Sequence, residues 1–131
     1  MSTNTSPEDY NSAQSKNFSQ NYEQVEYSPS FKREAKRLTK KYASLADDIE
    51  ALIGELRTNP AMGTPIGHSC YKIRLAIKSK GKGKSGGARV ITYYYIQGET
   101  VYLLSIYDKT EQDNISEEKI AELLLGVKES G

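Results

Sequence analysis

The 131-residue sequence contains one cysteine, one histidine and no tryptophan. A single cysteine cannot form a disulfide bond within the chain, and one cysteine with one histidine cannot supply a thiolate cluster or a multi-histidine metal site. No apolar run approaches the roughly 18 residues that a membrane-spanning helix requires, and the N-terminus lacks the pattern of a signal peptide. We therefore expect a cytoplasmic protein that needs no metal or other cofactor and has no membrane partner.

Familiar catalytic motifs are also missing. Residues 81–87, "GKGKSGG", share the composition of a phosphate-binding loop, but such a loop joins a strand to a helix, whereas this run is predicted to join two strands. His68 is predicted to be an ordinary loop residue, and Cys70 a small, at least half-buried side chain with no activating partner. Nucleotide hydrolysis and thiol chemistry are therefore poor explanations of this sequence.

Positive charge is concentrated in one segment, although the formal net charge is only +1. Residues 71–89 contain seven basic side chains and no acidic one, whereas the rest of the chain has 18 − 7 = 11 basic and 17 acidic side chains, a net charge of −6. The seven are Lys72, Arg74, Lys78, Lys80, Lys82, Lys84 and Arg89. Such segregation favours an anionic partner such as a phosphate backbone. The alternative is a solvated lysine loop that only maintains solubility.

The chain divides into a tail and a domain. Residues 1–22 are dominated by Ser, Asn, Gln and Thr and cannot bury enough apolar surface to offset the entropy of ordering, so we predict a flexible polar tail. Residues 23–128 carry the periodic apolar patterns of a folded domain.

Two helices are predicted early in this domain. After a short strand at residues 24–27, Ser28 and the proline that follows it are typical of a helix start. A second helix is predicted to begin at Ser44, with Asp47 completing a capping-box-like pair, and to end before Pro60. The connection is too short for anything but a helical hairpin.

Three strands and a last helix follow. Residues 71–78 alternate apolar and basic side chains, which predicts a strand with one face in the core and one positively charged face. Residues 88–96 and 100–107 form a predicted hairpin that turns at Gly98. Ser116 is predicted to cap the final helix. The predicted order is β-α-α-β-β-β-α, an α+β fold with an antiparallel sheet packed against a helical hairpin.

Five residues of the predicted sheet form a candidate site for phosphoryl transfer on RNA. Adjacent strands are expected to bring together Lys72, Arg74, Arg89, Tyr107 and Lys109. The 2′-hydroxyl of RNA is itself a nucleophile, so an enzyme has only to align it and neutralise the pentavalent phosphate. Neither a metal ion nor a histidine is then obligatory.

The motifs "YKIRL", "ARVITYYY" and "VYLLSIYDKTEQDNIS", in this order of elements, resemble the RelE/ParE superfamily of bacterial type II toxins. Within it the sequence is most similar to the HigB-like and RelE-like ribosome-dependent mRNA endonucleases, over about residues 25–127. The resemblance implies an mRNA-cleaving toxin that inhibits translation, with a cognate antitoxin, the ribosome and mRNA as partners. Two alternatives stay open: a ParE-like inhibitor of DNA gyrase, and a catalytically inactive nucleic-acid-binding regulator.

The resemblance also implies roles for individual residues. Lys72 falls at the position of the lysine that contacts the scissile phosphate, Arg89 at that of the arginine that stabilises the transition state, and Lys109 at that of the general acid. Arg74 replaces a lysine proposed as general base, and because a guanidinium is a poor proton acceptor we expect it to orient the RNA backbone instead. The general base is then Lys72, or catalysis depends mainly on charge stabilisation.

Two further expectations concern the base-stacking residue and the lysine loop. Ile115 stands where the family carries a stacking tyrosine, so Tyr107 is a candidate replacement. The glycine-flanked lysines are predicted to form a mobile tip that contacts ribosomal RNA phosphates. They are Lys78, Lys80, Lys82 and Lys84.

Overall fold

The computed structural model describes residues 24–130, with the side chains described as far as Val127. The predicted tail, residues 1–22, lies outside the described part. The elements are β1 (Gln24–Tyr27), α1 (Pro29–Lys41), α2 (Leu45–Thr58), β2 (Thr64–Gly67), β3 (Cys70–Leu75), β4 (Ala88–Tyr95), β5 (Thr100–Asp108) and α3 (Glu117–Ser130), with a short 3₁₀ turn at Lys78–Lys80.

The five strands form one sheet in the order β1-β5-β4-β3-β2. β1 runs parallel to β5, and the other neighbours are antiparallel. The predicted α+β class, with a sheet packed against a helical hairpin, is confirmed, but the predicted antiparallel sheet is mixed, because β1 pairs with β5 in parallel. The prediction missed one strand, β2, because its four residues include Pro65 and Gly67. Proline is tolerated there because β2 lies at the edge of the sheet.

Both helices of the hairpin begin where the sequence predicts, but one of the two predicted capping contacts differs. The Ser28 hydroxyl accepts a hydrogen bond from the backbone N–H of Phe31 and so caps α1. At α2 the predicted pair of Ser44 with Asp47 is wrong. The Ser44 hydroxyl instead donates to Asp48 at 2.7 Å, because Asp48 faces inward and is buried.

Two apolar cores cover the two faces of the sheet. The larger core lies between the hairpin and the sheet and includes Leu38, Leu52, Val90 and Ile106. The second core lies under α3, whose apolar side chains pack on the opposite face of the same strands. Its members are Cys70, Ile91, Leu104, Tyr107, Ile120, Leu123, Leu124 and Val127.

β3 divides the second face into an apolar and a basic part. Ile73 belongs to the larger core, so the alternation of side chains along a strand puts Lys72 and Arg74 on the opposite face together with Cys70. Cys70 is buried in the core under α3, Lys72 is partly exposed, and Arg74 is exposed. The sheet thus presents cations beyond the region that the apolar residues of α3 cover.

Candidate nucleic-acid interface

The strand register brings three of the predicted site residues into one row. Arg74 on β3 is directly opposite Arg89 on β4, and Arg89 is directly opposite Tyr107 on β5. Lys72 lies opposite Ile91, two positions along the sheet from Arg74 and on the same face. Lys109 immediately follows the end of β5 and its backbone N–H donates to the Gly87 carbonyl at 3.0 Å.

Arg89 lies beneath the surface, where we expected an accessible guanidinium. The residue is only 5% exposed. Its guanidinium donates to the carbonyl oxygens of Lys84 at 2.9 Å and Ser85 at 3.3 Å, and to the Ala88 carbonyl at 3.2 Å. In this arrangement Arg89 holds the lysine-rich loop against the sheet and supplies positive charge from below.

Tyr107 is also enclosed. Its ring belongs to the core under α3, and among the described residues its buried hydroxyl has no hydrogen-bond partner. Burial raises the pKa of Tyr107, and the nearby charge of Arg89 opposes that rise. The expectation that Tyr107 offers a stacking surface to a base is wrong for this conformation, because the alternation along β5 turns the ring inward. Ile115 packs against the same core.

The accessible cations of the site are Lys72, Arg74 and Lys109. The Lys72 ammonium approaches the Asn114 side-chain oxygen at 3.5 Å, and the Lys109 ammonium donates to Asp113 at 2.7 Å. The hydrogen bond from Lys109 lowers the pKa of Asp113. The sequence prediction missed Asp113, because a spacing of four residues indicates a side-chain pair only within a helix and Lys109 to Asp113 is a turn.

Lys80 does not belong with the solvent-facing lysines of the loop. Its ammonium donates to the Asp108 carboxylate at 2.7 Å and to the Thr110 hydroxyl at 3.2 Å, and it lies 5.3 Å from the centre of the Tyr42 ring. Lys80 is therefore not part of the exposed tip that we expected, and its contact with RNA stays a prediction. The physical reason is that Asp108 is a buried carboxylate that requires a counter-charge.

Asp108 connects three parts of the chain that are distant in sequence. Besides Lys80 it accepts hydrogen bonds from the Tyr42 hydroxyl at the end of α1 and from the backbone and hydroxyl of Thr110. Burial on its own would raise the pKa of Asp108, but the hydrogen bonds from Lys80, Tyr42 and Thr110 outweigh burial and hold that pKa well below its ordinary value. The sequence around Asp108 does not predict its contacts with Lys80 and Tyr42.

The first part of the lysine loop is built into the fold. The Lys78 backbone N–H donates to Asp48 at 3.1 Å, and Ser79 exchanges hydrogen bonds with Ser44 at the start of α2. This segment is therefore a hydrogen-bonded turn and not the adaptable tip that we expected. The side chains of Lys78, Lys82 and Lys84 are nevertheless exposed.

Cys70 and His68, the two other residues considered from the sequence, lie in environments that do not activate them. Cys70 is buried, and burial raises the pKa of its thiol to about 11. His68 is an exposed residue of the two-residue turn between β2 and β3. Within residues 24–130 no group of three or more His, Cys, Asp and Glu side chains could hold a metal ion. A helix long and apolar enough to cross a membrane is likewise not found in the described part of the chain.

Comparison with known proteins identifies the family. The sequence model of the family described as "RelE toxin of RelE / RelB toxin-antitoxin system" matches residues 25–128. This match covers well over half of the chain, and the chain therefore belongs to the RelE toxin family.

Two solved structures show the same fold at low sequence identity, and a third is similar over part of the chain. An arginine-to-alanine double mutant of the Escherichia coli toxin RelE in the free state is 16% identical, with a TM-score of 0.52, and the match covers 82% of this chain and 97% of that one. The isolated E. coli RelE toxin is 15% identical, with a TM-score of 0.52 over 77% and 95% of the two chains. The RelBE2 toxin-antitoxin complex of Mycobacterium tuberculosis contains a chain that is 18% identical, with a TM-score of 0.49 over 66% and 98%.

Proposed function

We propose that this RelE-family toxin is a ribosome-dependent endonuclease that cleaves mRNA by attack of the 2′-hydroxyl on the adjacent phosphate. The observation that carries the proposal is the group of accessible cations Lys72, Arg74 and Lys109 around the buried Arg89 on one face of the sheet. Three positive charges on neighbouring strands and a fourth directly after β5 suit a phosphate whose negative charge increases in the transition state.

Phosphate binding, strand orientation and both proton transfers of the proposed reaction can each be assigned to a residue or to solvent. A bond forms between the 2′-oxygen and phosphorus, and the bond to the 5′-oxygen breaks, leaving a 2′,3′-cyclic phosphate and a 5′-hydroxyl. Lys72 binds the phosphate, Arg74 orients the backbone and Lys109 donates a proton to the departing oxygen. The proton of the attacking hydroxyl passes to solvent, because a guanidinium at Arg74 is a poor acceptor. Arg89 stabilises the charge from beneath the surface.

A second candidate function is nucleic-acid binding without cleavage. The burial of Arg89 and Tyr107 favours it, since two of the five predicted site residues do not reach the surface in this conformation. In either function the proposed setting is the cytoplasm, and the proposed partners are a cognate antitoxin, the ribosome and mRNA.

The test is a double substitution of Lys72→Met with Lys109→Met. Both side chains reach solvent and neither is a core residue, so the variant should fold normally. After short induction in bacteria, primer extension should show ribosome-dependent mRNA cleavage reduced by about 100-fold or more. Lys119→Met, which removes an exposed lysine of α3 that pairs with Glu122, is the matched control and should cleave normally.

One result would contradict the proposed site, and two others would contradict the endonuclease activity itself. Unchanged cleavage by the double variant would show that these cations are not the site. An unmodified protein that binds RNA but leaves mRNA whole would support the binding module. Gyrase-linked DNA breaks with intact mRNA would instead support a gyrase inhibitor.

A further inference from the structure

An apolar groove lies between the two helices of the hairpin, away from the candidate site. It encloses about 310 Å³, and the small side chains of Ala35 on α1 and Ala46 on α2 leave this space open. A groove of this size can hold an aromatic side chain. We call it the hairpin groove, and its lining includes Tyr27, Phe31, Lys32, Ala35, Lys36 and Ala46.

Both charged residues that line the hairpin groove are lysines. Lys32 and Lys36 are four residues apart, so they lie on one side of α1, and both are exposed. Arg37 and Lys41 of the same helix pair with Glu111. Among the described residues, no such ion pair is found for the two groove lysines. The groove therefore favours an occupant that combines apolar side chains with negative charge.

Carboxylates of the two helices do not line the hairpin groove in the described part of the chain. Glu34 on α1 is turned toward the sheet, where it accepts hydrogen bonds from the Ser105 hydroxyl and the Ile106 backbone. Asp47 and Glu50 are exposed on α2 outside the lining. The acidic partner of the two lysines must therefore come from elsewhere.

An aromatic surface lies at the end of the groove next to β1. The rings of Tyr27 and Phe31 are stacked, with centroids 5.6 Å apart and an angle of 9° between their planes. Phe31 is buried, whereas Tyr27 is 45% exposed. The open part of the Tyr27 ring can therefore pack against a further aromatic side chain.

The chain that precedes β1 has the composition that the groove favours. Residues 1–23 contain three acidic side chains, one basic side chain and three aromatic rings. Two of the acids, Glu8 and Asp9, are adjacent, and Phe18 is the most apolar of the three aromatic residues. The segment lies outside residues 25–128, which the RelE family model matches, so it is an addition of this chain to the family domain.

This segment is attached close enough to reach the hairpin groove. β1 is the outermost strand of the sheet, and Tyr27 at its end lines the groove. The path from Gln24 along β1 and then along α1 to Lys36 is at most about 22 Å. The chain from Asp9 to Gln24 is about 15 residues long, and as a flexible chain it has a root-mean-square length of roughly 20 Å. The adjacent acids can therefore reach the groove lysines.

Tethering makes weak contacts sufficient. An exposed ion pair contributes little by itself, and the polar composition of residues 1–22 does not allow them a core of their own. A segment joined to its binding site by a short flexible linker has an effective concentration in the millimolar range, however. One aromatic contact and two ion pairs can then hold the segment in place.

We propose that residues 8–18 of the same chain occupy the hairpin groove. The Phe18 ring packs against Tyr27. The adjacent carboxylates of Glu8 and Asp9 pair with the two groove lysines. The docked segment covers apolar surface that otherwise faces water. The proposal is independent of the proposed nuclease, because it involves neither RNA nor the candidate site on the opposite face of the sheet.

Paramagnetic broadening of NMR signals in the full-length protein tests this placement. A nitroxide on Glu50→Cys is held on α2 one turn from Ala46, beside the groove and outside its lining. Cys70 is buried and the pKa of its thiol is raised to about 11, so the label reacts with the introduced thiol. We expect strong broadening of the amide signals of residues 8–18.

A second label position separates docking from random encounters. Glu118→Cys places the nitroxide on an exposed position of α3, which packs on the opposite face of the sheet. This label should leave the amide signals of residues 8–18 sharp. Equal broadening by the two labels would mean that the segment samples the whole surface, and it would overturn the proposal.

Variants test the two kinds of contact. Phe18→Ser should reduce the broadening from the Glu50 label several-fold, because the aromatic contact is lost. Lys32→Gln combined with Lys36→Gln should also reduce it, most clearly at low salt. Lys40→Gln removes an exposed lysine of the same helix that is outside the groove lining, and this matched control should leave the broadening unchanged.

Three further outcomes would overturn the proposal. An equal loss in the Lys40→Gln control and in the double lysine variant would show that only general charge matters. Sharp signals for residues 8–18 with the Glu50 label would show that the segment does not occupy the groove. Equally strong broadening of isotope-labelled protein by a separate spin-labelled copy would show that the groove holds the segment of a second copy.

Discussion

Two lysine–aspartate pairs flank the end of β5 with the same nitrogen-to-oxygen distance and very different surroundings. Lys80 and Asp108 are 2.7 Å apart, with side chains that are 10% and 0% exposed. Lys109 and Asp113 are also 2.7 Å apart, but their side chains are 31% and 90% exposed. The distance between two charges does not reveal their role, because burial decides whether water screens them.

The inner pair is part of the framework, and the outer pair belongs to the candidate site. Asp108 collects donors from Tyr42, Lys80 and Thr110, so it joins α1, the lysine loop and the turn after β5. Asp113 pairs with Lys109 and lies open to solvent. A substrate phosphate can therefore replace Asp113 at Lys109, whereas nothing from solvent can replace Asp108 at Lys80 without opening the structure.

The largest effect is expected from Lys80→Met, which removes the nearer counter-charge of the buried Asp108 and leaves it with the Lys41 ammonium, 4.0 Å away on a half-exposed side chain. We expect a loss of about 3 kcal/mol in the free energy of unfolding, measured by urea denaturation. Adding Asp108→Asn should recover part of that loss, because the buried charge is then removed. Lys82→Met is the matched control and should be neutral. If Lys80→Met is also neutral, the inner pair does not support the fold.

An effect of intermediate size on the free energy of unfolding is expected when the pH is lowered. The folded-state pKa of Asp108 lies below its ordinary value of 3.8, so its contribution to stability is present above that value and is lost as the pH falls through the folded pKa. Urea denaturation between pH 2 and 5 should therefore show a weaker loss of stability with acid in the Lys80→Met, Asp108→Asn variant than in the unmodified protein. Parallel curves would show that Asp108 is not what links stability to pH.

The smallest effect on stability is expected from Asp113→Asn. Because this carboxylate is exposed, its thermal midpoint should match that of the unmodified protein. The freed Lys109 ammonium should bind a labelled RNA hexamer, protected from cleavage by 2′-O-methyl groups, a few-fold more tightly, measured by fluorescence anisotropy at low salt. Weaker binding by this variant would mean that Asp113 positions Lys109 and does not compete with RNA for it.

Most of the fold could be predicted because its elements carry local signals. The serine cap and the apolar spacing of α1 arise from side chains within a few residues of one another, and so does the alternation along β3. β2 has no such signal. Its four residues become a strand only because β3 offers them a pairing edge, and a hairpin turn at His68 and Ser69 with positive φ angles joins the two.

The sequence was enough to predict which residues of the candidate site lie close together, but not which of them are accessible to solvent. Order along the chain was enough to expect Arg74, Arg89 and Tyr107 on neighbouring strands, and the register places them in one row. Their accessibility depends on what covers them. The core under α3 encloses Tyr107, and the carbonyl groups of Lys84 and Ser85 engage Arg89 from the loop above it.

By itself the sequence determined the class of fold, the concentration of positive charge and the strands that carry it, since each depends on residue types and on spacing along the chain. Only the tertiary structure decided which of those charges face solvent. Lys80 and Lys84 look alike in the run "KGKGK", yet a carboxylate 28 residues away buries one and leaves the other exposed. A long-range ion pair of this kind forms because an unpaired charge is costly inside the protein, and its partner is defined in space and not by sequence.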